Sequence, residues 1–174
     1  MDEAKFITLD NGLTILIYTD RSKSTNHMEL FTLYGGNYSS YIDYNGKKRN
    51  IKEGSAHLLE HYVCENTVSG DLLDNLRKYN VLSCNAGTSA FNTSYFFNTV
   101  CNFYECLDTF LDGIYNVSFT DENLNKTKYA VLNEIRDSQN DEERRIADIR
   151  DRTLFSNCMD NLGSEDSINS MTVN

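Results

Sequence analysis

The chain contains 174 residues, a length that fits one domain with a real hydrophobic core and makes a second complete domain unexpected. Its 26 acidic and 16 basic residues give a formal net charge of −10, which would repel nucleic-acid phosphates and anionic lipid. Nucleic acid and membranes are therefore disfavoured as partners. With 40% hydrophobic and 24% charged residues, the composition is typical of a folded protein rather than a disordered one.

The sequence also predicts a cellular location. No apolar run approaches the roughly 18 residues that span a bilayer, and residues 1–5 lack the basic-then-apolar order of a secretory signal. The five cysteines are odd in number and contain no CxxC pair, so reduced thiols are expected rather than a disulfide framework. We therefore expect a cytoplasmic protein.

The first part of the chain predicts strands. Two apolar, β-branched runs, residues 6–9 and 13–18, flank Asn11-Gly12, a pattern that is typical of a β-hairpin. A third strand is predicted over residues 28–34. The polar stretch 37–49 contains an Asn-Gly pair and is expected to be a loop.

Helices and strands then mix. Apolar periodicity and helix-start signals predict a helix from residue 55, with Ser55 as its cap, and a second helix over 71–78. Two strands are predicted within 81–100, followed by an amphipathic helix over 103–114. A further helix is predicted to begin after Thr120 and to continue or break near 138–141, before a charged helical stretch through 146–154. The predicted class is α+β. We expect a mostly antiparallel sheet, built from the early hairpin, the third strand and the later pair, with helices packed on one face.

The sharpest motif is His57-Leu58-Leu59-Glu60-His61. On a helix, positions i, i+3 and i+4 point to one side, so two imidazoles and one carboxylate would converge there. Neutral imidazoles at i and i+4 can ligate one zinc ion, while the carboxylate stays free to hold and deprotonate a water. The order HxxEH is the inverzincin signature. By itself, the pattern is also compatible with a solvated helix face.

A catalytic zinc usually has three protein ligands, so one more is needed. At this point the chain resembles the N-terminal part of the pitrilysin/insulinase family of zinc peptidases, whose third ligand is a Glu on a later helix in an apolar-x-x-Glu segment. Glu134, which residues 62–133 separate from His61, matches that segment. The resemblance therefore implies Zn²⁺ as cofactor, with His57, His61 and Glu134 as its ligands and Glu60 as the catalytic base.

Further segments carry the same resemblance. The turn around Asn11-Gly12, Gly54 before the motif, and the pair of segments 85–89 and 93–97 occur in the family's order. In relatives the first segment of that pair is an edge strand that adds the substrate backbone as another strand. The resemblance thus implies peptide binding by four consecutive residues: Asn85, Ala86, Gly87 and Thr88.

The chain also departs from the family. Relatives often carry a second acidic residue before the ligand Glu, but Thr127 stands seven positions before Glu134, so that support is absent or comes from elsewhere, with Asp137 as one candidate. Relatives complete their active site with an Arg-Tyr pair from a second homologous domain, and nothing in this sequence corresponds to that pair. We therefore expect residues 1–174 to form a single, partial N-terminal zinc-peptidase domain of the processing-peptidase type.

The first functional hypothesis is a zinc-dependent endopeptidase that cleaves short or unfolded peptides, and the net charge favours neutral or basic ones. The alternative is a non-catalytic or incomplete subunit that needs a second homologous half-domain, in cis, in trans or as a homo-oligomer. A small structural zinc module is disfavoured because a Glu lies between the histidines and paired cysteines are lacking.

Other ligands stay open. Glu53, Glu122, Glu142 and Glu143 can supply a carboxylate, although a solvated surface position is the better interpretation of each. Cys64 is a soft ligand three residues after His61, but a buried thiol is the commoner fate of a free cysteine. Cys101 and Cys106 lack the second pair of a zinc knuckle, and His27 is predicted to lie on the surface.

Overall fold

The computed structural model describes residues 3–154 and 160–173, and within them it contains seven strands and six helices. The strands are β1 (Glu3–Thr8), β2 (Thr14–Thr19), β3 (Asn26–Thr32), β4 (Ser40–Ile42), β5 (Lys48–Asn50), β6 (Ser83–Thr88) and β7 (Thr93–Thr99). The helices are α1 (Ser55–Glu65), α2 (Leu72–Arg77), α3 (Phe103–Tyr115), α4 (Asp121–Ser138), α5 (Glu142–Leu154) and α6 (Glu165–Asn169). The predicted α+β class is confirmed. In this described part of the chain, no helix is both long and apolar enough to cross a membrane.

The first hairpin forms as its Asn-Gly turn predicts. Strands β1 and β2 pair antiparallel with Phe6 opposite Leu16. Gly12 adopts a φ of 88°, which L side chains disfavour, and Asn11 accepts a hydrogen bond from the Leu13 amide at 3.0 Å.

The main sheet has the strand order β3-β7-β6, and both of its pairings are antiparallel. Alternate residues of the central strand β7 are buried, so Tyr95 and Phe97 lie in the core on the face that the helices cover. The prediction that helices pack on one face is confirmed. One detail is wrong: among the described residues, β1 and β2 pair only with each other and form a sheet of their own. Strand β2 is largely exposed and does not join the layer that the helices cover.

Residues 37–49, predicted as a loop, contain most of a second small hairpin, formed by β4 and β5. Its turn is held by one carboxylate: Asp43 accepts from the amides of Asn45 and Lys47 at 3.0 and 2.9 Å and pairs with Arg49 at 2.8 Å. Polar contacts, rather than apolar alternation, stabilise this hairpin, and for that reason its pattern resembled a loop.

Helix α1 lies between two hydrophobic clusters. On one side, Leu58 and Tyr62 pack with side chains of α4 and α6. On the other, Val63 and Cys64 pack with α2, α3 and the main sheet, where Phe97 is fully buried. A helix that is held on both sides in this way is a rigid support for the polar residues on its remaining face.

The predicted helix boundaries are mostly confirmed. Thr120 caps α4 by accepting from a backbone amide of its first turn, and the chain breaks within residues 138–141 before α5 begins. The predicted Ser55 cap of α1 is wrong. Gly54 occupies the cap position with a φ of 79°, and the Ser55 hydroxyl instead donates to the Lys52 carbonyl at 2.6 Å.

Candidate metal and catalytic site

Helix α1 brings its two histidines together. His57 and His61 are one helical turn apart, and their rings meet edge to face with centroids 4.7 Å apart and an interplanar angle of 82°. Their side chains are 12% and 24% exposed, so the pair lies at the surface of the core and is open to solvent on one side. The predicted convergence of these side chains is what the structure shows.

Helix α4 supplies the third side chain of the group. Glu134 Oε2 lies 3.3 Å from His57 Nε2 and 3.5 Å from His61 Nε2. Bonds of about 2.0–2.1 Å at a tetrahedral angle place two zinc ligands about 3.3 Å apart. The one atom of Glu134 therefore lies at ligand spacing from both imidazoles, and the three residues form a group that could hold a metal ion.

The two imidazoles differ in their pKa values, and the neutral state that a metal ligand needs is favoured at His57. Burial, with His61 and Arg144 as smaller contributors, lowers the pKa of His57 to about 4, so this imidazole is neutral near pH 7. The pKa of His61 is raised, chiefly by its hydrogen bond to Glu65. Among the side chains that the structure describes, one buried polar atom has no hydrogen-bond partner, and it is His57 Nδ1.

Glu60 lies outside the group of three and has a partner of its own. Its side chain is buried, and Glu60 Oε2 accepts a hydrogen bond of 2.7 Å from the Thr88 hydroxyl. Burial raises the pKa of Glu60, while the Thr88 hydrogen bond and His61 oppose that rise. A carboxylate beside the histidines but outside the ligand spacing has the placement that the sequence predicted for a base.

Strand β6 contains the four residues predicted to bind peptide. It is an edge strand: within the described structure it pairs with β7 on one side, and its other edge has no strand beside it. Asn85 and Gly87 are exposed, whereas Ala86 and Thr88 are partly buried toward the helices. Because Thr88 contacts Glu60, this edge ends at the candidate site.

The other candidate ligands lie elsewhere. Glu122 is exposed and pairs with Lys126, and Glu142 and Glu143 are exposed in the first turn of α5. Glu53 differs from the predicted solvated position, since it is partly buried and accepts from the Asp160 amide at 2.8 Å.

The cysteines and the third histidine are also separate from the group. Cys64 is buried in the cluster between α1 and the sheet, as is Cys106, which confirms the buried-thiol interpretation. Cys101 is exposed. His27 lies exposed on β3 beside Asn98, which confirms its predicted surface position.

Sequence reasoning missed one acidic residue. Besides Glu134, the acid that contacts His61 is Glu65, whose Oε1 lies 3.3 Å from His61 Nδ1, and not Asp137, which is exposed near the end of α4. Thr127, noted only as a departure from the family, donates to Glu65 Oε2 at 2.8 Å. The signal that could have found Glu65 is its position four residues after His61 on the same helix.

The sequence profile of the insulinase family, peptidase family M16, matches residues 47–164, which is more than half of the chain. The matched range contains the three candidate ligands and the candidate base Glu60. This chain belongs to the insulinase family. The resemblance inferred from the HxxEH motif is thereby confirmed.

One curated relative extends the comparison. The chain is 28% identical over 129 residues to the uncharacterized zinc protease YmfH of Bacillus subtilis (strain 168). The matched region is 73% of this chain but 29% of YmfH, so the chain spans less than a third of that relative.

Three solved structures share the fold. A putative M16-like peptidase from Alicyclobacillus acidocaldarius superposes with a TM-score of 0.88 at 23% identity over 98% of this chain. A protease from Helicobacter pylori gives 0.77 at 18% over 99%, and the first half of the periplasmic protease PqqL from Escherichia coli gives 0.78 at 20% over 98%. The chain covers 40%, 41% and 37% of these structures, respectively. It therefore has the fold of an insulinase-family half-domain.

Proposed function

We propose that this chain is the zinc-binding part of a metalloendopeptidase that hydrolyses short or unfolded peptides. The observation that carries the proposal is that Glu134 Oε2 lies 3.3 and 3.5 Å from the Nε2 atoms of His57 and His61. Glu60 lies beside this group and outside it. Membership of a peptidase family and the zinc protease name of YmfH support zinc as the metal.

The residues divide the chemistry among them. Zinc, when bound, supplies Lewis acidity that polarises a carbonyl oxygen and lowers the pKa of water. His57 and His61 would hold the ion through Nε2, and Glu134 would hold it through Oε2. Glu60 removes a proton from the attacking water and passes it to the leaving amine. Burial raises the pKa of Glu60, which helps it to hold that proton between the two steps.

Substrate recognition is assigned to the open edge of β6. An extended peptide laid along Asn85, Ala86, Gly87 and Thr88 would pair with backbone groups, a mode that gives affinity with little side-chain selectivity. Because Thr88 contacts Glu60, a peptide bound on this edge would run toward the candidate base.

A second candidate is an incomplete half that needs a homologous second domain, in cis, in trans or from another copy. The observation that favours it is coverage: the chain spans 37–41% of the solved structures that it resembles. The extent of the domain over residues 1–174 stays a prediction. A cytoplasmic location also stays a prediction, since the similar protein PqqL is described as periplasmic.

The test combines metal analysis with hydrolysis of a quenched peptide, with and without a chelator. We expect one zinc per chain, and we expect Glu60→Gln to retain it while losing activity at least about 100-fold. His57→Ala and His61→Ala should lose the metal. Glu122→Gln is the matched control, because Glu122 is exposed and paired with Lys126.

Each result separates the hypotheses. Bound zinc without hydrolysis by the parent chain would favour the incomplete half. Failure of the purified chain to take up zinc would contradict the proposed zinc site and leave only a non-catalytic subunit. Undiminished turnover by Glu60→Gln would rule out Glu60 as the base.

A further inference from the structure

The two histidines of the group are held differently on their far sides. Both direct Nε2 toward Glu134, which leaves Nδ1 as the outer nitrogen of each ring. His61 Nδ1 lies 3.3 Å from Glu65 Oε1. His57 Nδ1, by contrast, is buried with no hydrogen-bond partner among the described residues. On the Nδ1 side, packing alone therefore orients His57, whereas a carboxylate orients His61.

Glu65 is itself fixed by a second helix. Its other oxygen, Oε2, accepts a hydrogen bond of 2.8 Å from the Thr127 hydroxyl on α4. Thr127 is fully buried, and its oxygen in turn accepts from Asn66 Nδ2 at 3.1 Å. Asn66 also donates to the Tyr62 carbonyl at 3.0 Å. The hydroxyl of Thr127 thus uses its single proton on Glu65, and the network is satisfied at each step.

We infer that Glu65, held in place by Thr127, is the positioning residue that orients His61 as a metal ligand. An acceptor at Nδ1 keeps the proton on that nitrogen and leaves the Nε2 lone pair free for an ion that would be held between His61 and Glu134. The inference rests on the proposed zinc site. It also identifies the function of the threonine at 127: its side chain fixes a carboxylate that reaches the site from α1.

The arrangement makes the two imidazole ligands unequal. His61 is fixed by a hydrogen-bonded carboxylate that connects α1 to α4, the helix that also provides Glu134. Loss of this contact should therefore lower zinc affinity more than it lowers the stability of the fold. Partners of this kind typically change metal affinity by about 10–100-fold.

The experiment measures zinc affinity of the full chain by competition with a chromophoric chelator, together with the absorption spectrum of the Co²⁺ form. Glu65→Ala should weaken zinc binding by at least about 10-fold and alter the Co²⁺ bands. Glu65→Gln should weaken it less, because the amide oxygen still accepts a hydrogen bond. Thr127→Val, which keeps the shape but removes the hydroxyl, should fall between the parent chain and Glu65→Ala.

The controls separate positioning from charge and from folding. Asp137→Asn removes one negative charge from α4 without touching His61 and should leave zinc affinity unchanged, and Thr127→Ser should restore most of what Thr127→Val loses. Melting temperatures of the metal-free proteins identify any variant that fails to fold, and in that case the near-isosteric Glu65→Gln and Thr127→Val decide.

Two outcomes are distinguishable. A parent chain that binds no zinc would contradict the proposed function itself. A parent chain that binds zinc, with Glu65→Ala and Glu65→Gln matching its affinity and its Co²⁺ spectrum, would overturn the positioning role and leave the zinc site standing.

Discussion

The hydroxyl of Thr88 donates a hydrogen bond of 2.7 Å to the buried carboxylate of Glu60, and so connects the edge strand β6 to helix α1. Thr88 also contacts Thr93 on the adjacent strand, with 3.3 Å between the two hydroxyl oxygens. Glu60 is 8% exposed, so few water molecules can replace this donor. The position of the candidate base therefore depends on the sheet as well as on its own helix.

Replacing Thr88 by Val tests that dependence. The variant keeps the shape of the side chain but leaves a buried carboxylate without its donor, which costs about 1–3 kcal/mol. We expect urea denaturation to show a loss of unfolding free energy in that range, and we expect peptidase activity to fall with it.

Thr32→Val is the matched control for Thr88→Val. Thr32 lies on the same sheet, is exposed, and donates to a backbone carbonyl at a longer 3.3 Å. Its replacement should change stability by less than about 0.5 kcal/mol. Equal losses of unfolding free energy in the two variants would show that the hydrogen bond between Thr88 and Glu60 adds no stability of its own.

A second prediction concerns Gly54, which begins α1 and so sets the position of the histidine pair. Its φ of 79° disfavours any L side chain, and a Cβ there would lie 2.9 Å from Ile168 Cδ1 and also against the Leu162 carbonyl. Gly54→Ala should therefore cost more than the roughly 1–2 kcal/mol of the backbone conformation alone. Denaturant unfolding measures this loss.

Gly46→Ala isolates the backbone part of that cost. Gly46 has nearly the same φ, 75°, but a Cβ there would meet nothing within 4 Å. The difference between the two alanine variants is the contribution of the contact between Gly54 and the C-terminal segment. Indistinguishable stabilities would mean that this contact is readily relieved.

A third prediction uses the thiols. Burial raises the pKa of the Cys64 and Cys106 thiols, so both stay protonated and unreactive at pH 8, whereas Cys101 is exposed. Iodoacetamide should label Cys101 in the native protein and the other two only after unfolding, as site-resolved mass spectrometry would report. Labelling of native Cys64 as fast as Cys101 would contradict its burial.

The sequence predicted those parts of the fold that depend on residues close together in the chain. The Asn11-Gly12 turn, the apolar periodicity of α3 and the Thr120 cap each depend on residues close together in the chain, and each is confirmed. The β4–β5 hairpin was missed because Asp43 stabilises it through polar contacts that no apolar pattern reveals.

Contacts between distant segments were harder to predict. Lys128 is an example: it stands among the polar residues of α4, yet it is buried, and its ammonium donates to the carbonyls of Asn169 and Met171 at 2.9 and 2.6 Å. From sequence alone, a lysine in a charged helix is predicted to be exposed to solvent, because the segment that buries it is not known.

The candidate site shows the same division. His57, Glu60 and His61 share one helix face, so their spacing was sufficient to predict their convergence. Glu134 came from the resemblance, because residues 62–133 separate it from the motif and no periodicity spans that distance. Glu65 was missed, since its role depends on a hydroxyl of α4 that only the packed structure places beside it.

The final prediction is that zinc stabilises this chain through the histidine pair. A ligand that binds only the folded protein raises its unfolding free energy, by about 2.7 kcal/mol at a free concentration 100 times the Kd. The melting temperature of the metal-free parent should therefore rise as zinc is added and fall again with a chelator. His57→Ala and His61→Ala each remove one of the three ligands, so the rise should nearly vanish in both.

His27→Ala is the control for these two variants, because His27 is exposed on β3 and bonds to Asn98 rather than to the group. Its melting temperature should respond to zinc as that of the parent does. A zinc response that survives in His57→Ala would place the stabilising metal elsewhere. Loss of the response in His27→Ala alone would assign zinc to the surface of the sheet, and the geometry around Glu134 would then need another explanation.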